Sequence, residues 1–175
     1  FIEKYYFLYY NIIMHNKEEF MKNYQFISHN ETDTKNFAKN LAKICKSKDI
    51  IVLTGDLGSG KTKFTEGFLS YFNLEDEISS PTFTIVNEYI KNDVNIYHFD
   101  VYRLEDSSEF YEIGGEEYFD KGICIIEWGE LIKDALPKEY THITFSRDEK
   151  NENIRILNIN TNCERLEKYF ENIKY

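Results

Sequence analysis

A glycine-rich segment carries the residues whose chemistry is easiest to interpret. Residues 55–62 read Gly-Asp-Leu-Gly-Ser-Gly-Lys-Thr and match the pattern G-x-x-x-x-G-K-[ST]. Glycines let the backbone curl so that successive N–H groups point at phosphate oxygens. Lys61 would reach the β- and γ-phosphates of a triphosphate, and the Thr62 hydroxyl would ligate Mg²⁺. The predicted nucleotide contacts are Leu57, Gly58, Ser59, Gly60, Lys61 and Thr62. The alternative is a glycine-rich turn with a solvated lysine.

The residues on both sides of this segment predict a strand and a helix. Residues 50–53 form an apolar run typical of a strand covered on both faces, and residues 64–72 place apolar side chains near helical spacing. A helix starting here would add its positive dipole end to the phosphate site. Upstream, residues 24–28 predict a strand and residues 31–46 a helix. This alternation predicts an α/β fold of the P-loop NTPase type, with a mostly parallel, mixed sheet flanked by helices.

Later segments predict two antiparallel strand pairs, which is why the sheet is expected to be mixed. One pair joins residues 84–90 to residues 94–104 across a short polar turn, and the other joins residues 140–146 to residues 153–160.

Two carboxylates follow predicted strands and are candidates for the metal site. Asp100 follows the extended run at residues 94–99, and Glu127 follows the apolar run at residues 123–126. Ligands of α/β folds bind at the carboxyl ends of strands, and a carboxylate after a buried strand is typical of a Walker B motif. Glu127 could hold Mg²⁺ directly or through water, or orient the attacking water. The alternatives are a turn-forming aspartate and a surface glutamate.

Two further polar positions lie between the glycine-rich segment and Asp100. Residues 79–84 are rich in hydroxyls around a proline, so that Thr82 could sense the γ-phosphate, although an ordinary loop entering a strand is the favoured interpretation from the residues alone. His98 lies inside an apolar strand and is interpreted as a hydrogen-bonded structural residue.

Length, charge and cysteine content limit the class of protein. A chain of 175 residues suits one domain, which we place at residues 23–175, with residues 1–22 as an extension of uncertain status. A net charge of −10 disfavours direct binding to nucleic acid or an anionic membrane. The apolar stretch at residues 5–14 is shorter than the roughly 20 residues that span a bilayer. Three widely spaced cysteines predict neither a disulfide framework nor a zinc site and fit a reducing cytosol.

Four ordered motifs resemble the TsaE (YjeE) ATPases, which support bacterial synthesis of N6-threonylcarbamoyladenosine at position 37 of transfer RNA. The motifs lie at residues 55–62, 80–84, 97–104 and 126–128, and the resemblance covers about residues 25–160. The departures from the family pattern are the N-terminal extension and a tail rich in lysine and asparagine beyond residue 158.

The resemblance implies a role for each candidate residue. Thr62 and Glu127 would position Mg²⁺, Asp100 would lie in the same catalytic region as Lys61 and Glu127, and Thr82 would join them. Glu31 would approach the nucleotide. Trp128 would lie beside the nucleotide site, with simple packing as the alternative.

The resemblance also implies an accessory ATPase that uses ATP and Mg²⁺ in the cytoplasm. Such a protein would bind TsaB- and TsaD-type synthase subunits, reset them by hydrolysis, hydrolyse ATP weakly alone, and reach transfer RNA only through the complex. We expect the protein to act without a membrane.

Three rival interpretations share the first motif. A small-molecule kinase would need an acceptor pocket and a lid with arginines, whereas the chain has only four arginines, at positions 103, 147, 155 and 165. A GTPase would be expected to carry an Asn-Lys-x-Asp element, which we do not find. A binding module gated by nucleotide without turnover is compatible with the same motifs.

Overall fold

The secondary structure comes from a computed structural model, which describes residues 21–78, 84–91 and 93–173. The strands are β1 (Lys22–Ser28), β2 (Ile50–Thr54), β3 (Val86–Lys91), β4 (Val94–Asp100), β5 (Ile123–Glu127), β6 (Thr141–Arg147) and β7 (Arg155–Thr161). The α-helices are α1 (Glu31–Ala42), α2 (Lys61–Ser70), α3 (Ser107–Glu112) and α4 (Glu164–Glu171). Short 3₁₀ helices lie at Glu75–Glu77, Gly115–Tyr118 and Gly129–Ile132.

The described strands form one seven-stranded sheet in the order β1-β7-β6-β2-β5-β4-β3. The four central strands, β6, β2, β5 and β4, are parallel to one another, whereas β4 pairs with β3, β6 with β7 and β7 with β1 in antiparallel fashion. The predicted mixed α/β sheet is therefore confirmed, and so are the two antiparallel pairs, β3 with β4 and β6 with β7. The parallel centre brings the carboxyl ends of β2, β4 and β5 to one edge.

Both faces of the sheet are covered. Ile51 and Leu53 of β2 belong to an apolar cluster on the face of α1, α2 and α4, whereas Ile50 and Val52 belong to a second cluster on the opposite face. All five residues of β2 are buried, as predicted for a strand covered on both sides. Burial on two faces fixes the strand from which the glycine-rich segment departs.

Helices α1 and α2 approach each other closely at Gly67. A Cβ added to Gly67 would lie 2.4 Å from the carbonyl oxygen and 2.5 Å from the Cα of Lys35, which belongs to α1. Only a residue without a side chain allows the two helix backbones this near. This contact sets the position of α2, whose first turn enters the functional site.

Two predicted elements end four residues earlier in the structure than the sequence indicated. β4 ends at Asp100 rather than at residue 104, because the Asp100 carboxylate accepts a hydrogen bond of 3.2 Å from the Tyr102 N–H and turns the chain. The first helix ends at Ala42 rather than at residue 46. Of the predicted extension at residues 1–22, residues 1–20 lie outside the described residues, and β1 begins at Lys22. Within the described residues no helix combines the length and apolar character of a membrane span.

Candidate functional site

The glycine-rich segment folds as a loop between β2 and α2. Gly55, Gly58 and Gly60 have φ angles of 127°, 73° and 115°, which residues with side chains rarely adopt. A Cβ on Gly55 would also lie 2.3 Å from the carbonyl oxygen of Phe145. Gly60 is the N-cap of α2, so the loop ends on the free N–H groups of a helix, a favourable arrangement for anions.

Lys61 begins α2 and points back into this loop. Its side chain is 4% exposed, and Nζ donates to the carbonyl oxygens of Gly55 at 2.6 Å and Asp56 at 3.1 Å. The same nitrogen lies 3.9 Å from the centroid of the Trp128 ring, within the range of a cation–π contact. The ammonium group is thus held by carbonyl dipoles and an aromatic face.

The pKa of Lys61 is subject to opposing effects. Burial lowers the pKa of Lys61, and the negative charges of Glu127, Glu130 and Asp100 offset part of that change. A phosphate anion at the loop would add a further favourable charge, so the site is arranged to accept one.

Asp100 and Glu127 end neighbouring parallel strands. They are partners in the register of β4 and β5, and their exposed fractions are 8% and 6%. The Glu127 carbonyl accepts a hydrogen bond of 3.2 Å from the Val101 N–H. The sheet therefore places two carboxylates side by side at its carboxyl edge.

One pocket of about 670 Å³ joins these groups. Its lining includes the predicted residues Glu31, Leu57, Gly58, Ser59, Gly60, Lys61, Thr62, Asp100 and Glu127, together with Trp128. The Leu57 residue is 85% exposed, so a contact from this residue to a phosphate would use its backbone N–H. Thr82 lies outside the described residues, and its predicted role stays a prediction.

The oxygen groups of the pocket suit Mg²⁺. Thr62 offers a hydroxyl, and Asp100 and Glu127 offer carboxylates, which are the hard ligands that Mg²⁺ prefers. Among the described residues no group of three or more His, Cys, Asp or Glu side chains could hold a metal by itself. Mg²⁺ usually keeps only one or two protein carboxylates and completes its shell with phosphate oxygens and water, so the residues present fit this ion.

Two side chains that contact the loop or its carboxylates were not assigned to the site from the sequence. Arg155 of β7 lines the pocket, and its Nε donates to the Ser59 carbonyl at 3.0 Å. His98 of β4 was interpreted as a hydrogen-bonded structural residue, and its Nε2 lies 2.9 Å from Oε1 of Glu127. The alternation of β4 could have indicated His98, because it lies two residues before Asp100 and so faces the same side. No local signal marks Arg155, which approaches the loop through the register of a hairpin.

Trp128 follows β5 in a left-handed conformation with φ of 63°. Its N–H donates to the Leu53 carbonyl at 2.9 Å, and its ring stacks at a tilt on Tyr102, with centroids 5.0 Å apart. Gly129 packs closely against β2, since a Cβ there would lie 2.5 Å from Cγ1 of Val52. These contacts fix the Trp128 ring over Lys61, which makes it both a packing residue and part of the pocket.

The fold and the site together define a protein of the P-loop nucleotide-binding class. A parallel strand, a glycine-rich loop and a helix surround a buried lysine, with two strand-end carboxylates across the same pocket.

Comparison with known proteins gives the family. The family model described as "Threonylcarbamoyl adenosine biosynthesis protein TsaE" matches residues 28–156. The tRNA threonylcarbamoyladenosine biosynthesis protein TsaE of Bacillus subtilis (strain 168) is 43% identical over 128 residues, or 73% of this chain and 80% of that protein. The protein of the same name from Rickettsia bellii (strain RML369-C) is 45% identical over 118 residues, or 67% of this chain and 82% of the relative.

A solved structure agrees with these relatives. The crystal structure of YdiB from Bacillus subtilis superposes with a TM-score of 0.70 at 34% identity, covering 86% of this chain and 93% of that one. The chain belongs to the TsaE family of proteins of tRNA threonylcarbamoyladenosine biosynthesis. The resemblance drawn from the four motifs is thereby confirmed.

Proposed function

We propose that this protein is an ATP-binding and ATP-hydrolysing accessory subunit of the bacterial complex that makes N6-threonylcarbamoyladenosine at position 37 of transfer RNA. Hydrolysis resets the TsaB and TsaD synthase subunits between turnovers. The observation that carries the proposal is the single pocket in which the glycine-rich loop, Lys61, Thr62, Asp100 and Glu127 meet. Residues 23–175 act as one ATPase domain in this proposal, and residues 1–22 are an extension to it.

The loop and α2 bind the triphosphate. Backbone N–H groups of residues 57–62 donate hydrogen bonds to phosphate oxygens, and the positive end of the α2 dipole adds to the attraction. Lys61 exchanges the carbonyls of Gly55 and Asp56, at 2.6 and 3.1 Å, for the β- and γ-phosphates. Glu31 also lines the pocket and contacts the nucleotide in this proposal.

The metal and the attacking water belong to the carboxylate end of the pocket. Thr62 and Glu127 would hold Mg²⁺, which would supply positive charge against the charge that develops on the phosphates. Asp100, paired in register with Glu127, supports the same region. Thr82 contacts the γ-phosphate in this proposal. Phosphoryl transfer to water needs positioning and charge neutralisation more than covalent chemistry, and these side chains supply both.

We expect slow hydrolysis by the isolated subunit because the arginine that lines its pocket is engaged with backbone carbonyls. Arg155 lines the pocket, but its guanidinium donates to the carbonyls of Ser59 and Ile154 at 3.0 and 3.1 Å, so it braces the loop. An arginine supplied by a partner can raise the rate of phosphoryl transfer by about 10³ to 10⁵. TsaB and TsaD would complete the site in this way or by ordering its loops.

The charge of the chain favours indirect contact with transfer RNA. A net charge of −10 repels a polyanion, so the complex rather than this subunit holds the RNA. Cytoplasmic action without a membrane is part of the same proposal.

The test measures ATP hydrolysis by the protein alone and with purified TsaB and TsaD from the same source. We expect partner-stimulated, Mg²⁺-dependent turnover that Glu127→Ala abolishes. Glu112→Ala is the matched control, because Glu112 is an exposed carboxylate that lies outside the pocket lining. Equal turnover with and without partners, or phosphate transfer to a small acceptor, would overturn the proposal and favour a small-molecule kinase.

A further inference from the structure

His98 is a fully buried polar side chain in an otherwise apolar part of the sheet. Its exposed fraction is 0%, and it lies in β4 across from Ile125 of β5. Ile96, two residues earlier, belongs to the apolar cluster on the face of α1 and α2, so His98 and Asp100 point to that same face. His98 therefore lies directly behind the carboxylate end of the pocket.

The contact that His98 makes is with Glu127. Nε2 of His98 and Oε1 of Glu127 are 2.9 Å apart, and the two side chains are 1% and 7% exposed. A carboxylate can only accept, so Nε2 donates the hydrogen. No other side chain among the described residues hydrogen-bonds to this carboxylate, which leaves Oε2 as the oxygen available to the pocket.

The packing around His98 gives no reason for a histidine at this position, so its hydrogen bond to the Glu127 carboxylate is the contact that accounts for it. Nδ1 of His98 is buried and has no hydrogen-bond partner among the described residues. A buried polar atom without a partner is costly, and an apolar side chain of similar size would pack against Ile96 and Ile125 without that cost. A residue that breaks the apolar pattern beside a functional group indicates a role in the site.

We infer that His98 is a positioning residue that orients Glu127 for metal binding. By fixing Oε1, His98 restricts rotation of the carboxylate and keeps Oε2 directed to the ion held with Thr62. This inference rests on the proposed function, in which Glu127 is the metal carboxylate. Hydrogen bonds to metal-binding side chains typically change metal affinity or activity about 10- to 100-fold when they are removed.

The test uses four variants of the full chain: His98→Leu, His98→Gln, Glu127→Gln and the double variant His98→Leu with Glu127→Gln. Leucine keeps the size but removes the donor, whereas the side-chain amide of glutamine places an N–H near the position of Nε2. Mn²⁺ replaces Mg²⁺ as the probe, and the electron paramagnetic resonance signal of free Mn²⁺ gives the metal affinity of the ADP-bound protein. Affinity for a fluorescent ADP analogue in EDTA is measured in parallel.

We expect His98→Leu to weaken Mn²⁺ binding about 10- to 100-fold. The affinity for ADP in EDTA should stay within about twofold of the wild-type value, because the substitution removes no contact to the phosphates. His98→Gln should recover most of the metal affinity. Because His98 acts through Glu127, the double variant should bind Mn²⁺ as Glu127→Gln alone does.

Two results would overturn the inference, and each is distinct from a failure of the proposed function. Unchanged Mn²⁺ affinity in His98→Leu, with a loss in Glu127→Gln, would refute the positioning role of His98 and leave the metal-binding role of Glu127 intact. Loss of ADP affinity in EDTA that His98→Gln fails to restore would assign His98 a structural role instead. Unchanged Mn²⁺ affinity in Glu127→Gln would refute the proposed metal carboxylate itself.

Discussion

Among single residues, Lys61 carries a charge that its surroundings make costly in the absence of a ligand. The residue is 4% exposed, and burial lowers the pKa of its ammonium group. We expect Lys61→Met to reduce affinity for a fluorescent ATP analogue by about 10- to 100-fold, since a hydrogen bond to a charged group contributes about 1.5 to 3 kcal/mol. Urea unfolding of the nucleotide-free variant should give a stability equal to or above that of the wild type, because a buried cation is replaced by an apolar chain.

Lys39→Met is the control for Lys61, because Lys39 lies on the exposed face of α1 and outside the pocket. It should leave nucleotide affinity unchanged. A Lys61→Met variant that loses stability and keeps its affinity would contradict the expectation.

Arg155 gives a second prediction for a single side chain. Its Nε donates to Ser59 at 3.0 Å from a half-buried position, whereas the exposed Arg147 approaches Leu57 and Gly58 at 3.5 and 3.4 Å. We expect Arg155→Ala to weaken binding of the ATP analogue about tenfold, as loss of one charged hydrogen bond implies. Arg147→Ala should change it by less than about twofold, the size expected for an exposed contact.

Arg155→Lys provides the matched replacement. The planar guanidinium donates to three backbone carbonyls, those of Ser59, Glu152 and Ile154, and an ammonium group cannot reproduce that geometry. Lysine should therefore restore little of the lost affinity. Equal losses in Arg147→Ala and Arg155→Ala would indicate a general effect of charge instead of a brace on the loop.

The residues that sequence reasoning found and missed differ in how they reach the site. The glycine-rich loop, Lys61 and Thr62 are contiguous, so their spacing alone predicted that they lie together. His98 and Glu127 are 29 positions apart, and Arg155 and Ser59 are 96 apart. Contacts of that kind depend on strand order and register, which a single sequence does not contain.

At the scale of elements, the packing of α1 on α2 determines where the loop presents its lysine. A Cβ on Gly67 would lie 2.4 Å from the Lys35 carbonyl oxygen, so Gly67→Ala forces the helices apart. Overpacking typically costs about 1 to 3 kcal/mol, although alanine gains up to about 1 kcal/mol of helix propensity over glycine. We expect a net loss of stability in urea unfolding and a weaker affinity for nucleotide, because α2 carries Lys61 and Thr62.

Lys39→Ala is the control for the helix pair. It adds no atoms to the interface and should change the free energy of unfolding by less than about 0.5 kcal/mol. A Gly67→Ala variant as stable as the wild type would mean that the two helices can separate without cost.

Element types were easier to predict than element ends. The apolar run at residues 50–53 and the two hairpins were predicted because strand patterns are local. The end of β4 was not, since a hydrogen bond from the Tyr102 N–H to Asp100 stops the strand although apolar residues continue. Side-chain hydrogen bonds of this sort compete with the ladder and leave little trace in an apolar pattern.

At the scale of the whole molecule, Cys124 lies at 0% exposure in the central strand β5. Water is expected to reach its thiol only when the sheet unfolds, so the titration of Cys124 is a probe of cooperative unfolding. Burial raises the pKa of the Cys124 thiol from 9.0 to about 12. Below pH 9 both the folded and the unfolded states keep the proton, so this group makes no pH-dependent difference. Between pH 9 and about 12 the unfolded state loses the proton while the folded state keeps it, and the stability contributed by Cys124 is lost as pH rises.

The measurement compares the free energy of unfolding of the wild type and Cys124→Ala from pH 7 to pH 10. The difference between them should be constant up to about pH 8 and then shrink by about 1.4 kcal/mol at pH 10, which is one unit above the pKa of 9.0 of the unfolded thiol. Ile126→Val, from the same strand and without a titrating group, should keep a constant difference throughout. A constant difference for Cys124→Ala as well would mean that the thiol ionises in the folded protein, and hence that water reaches the centre of the sheet without global unfolding.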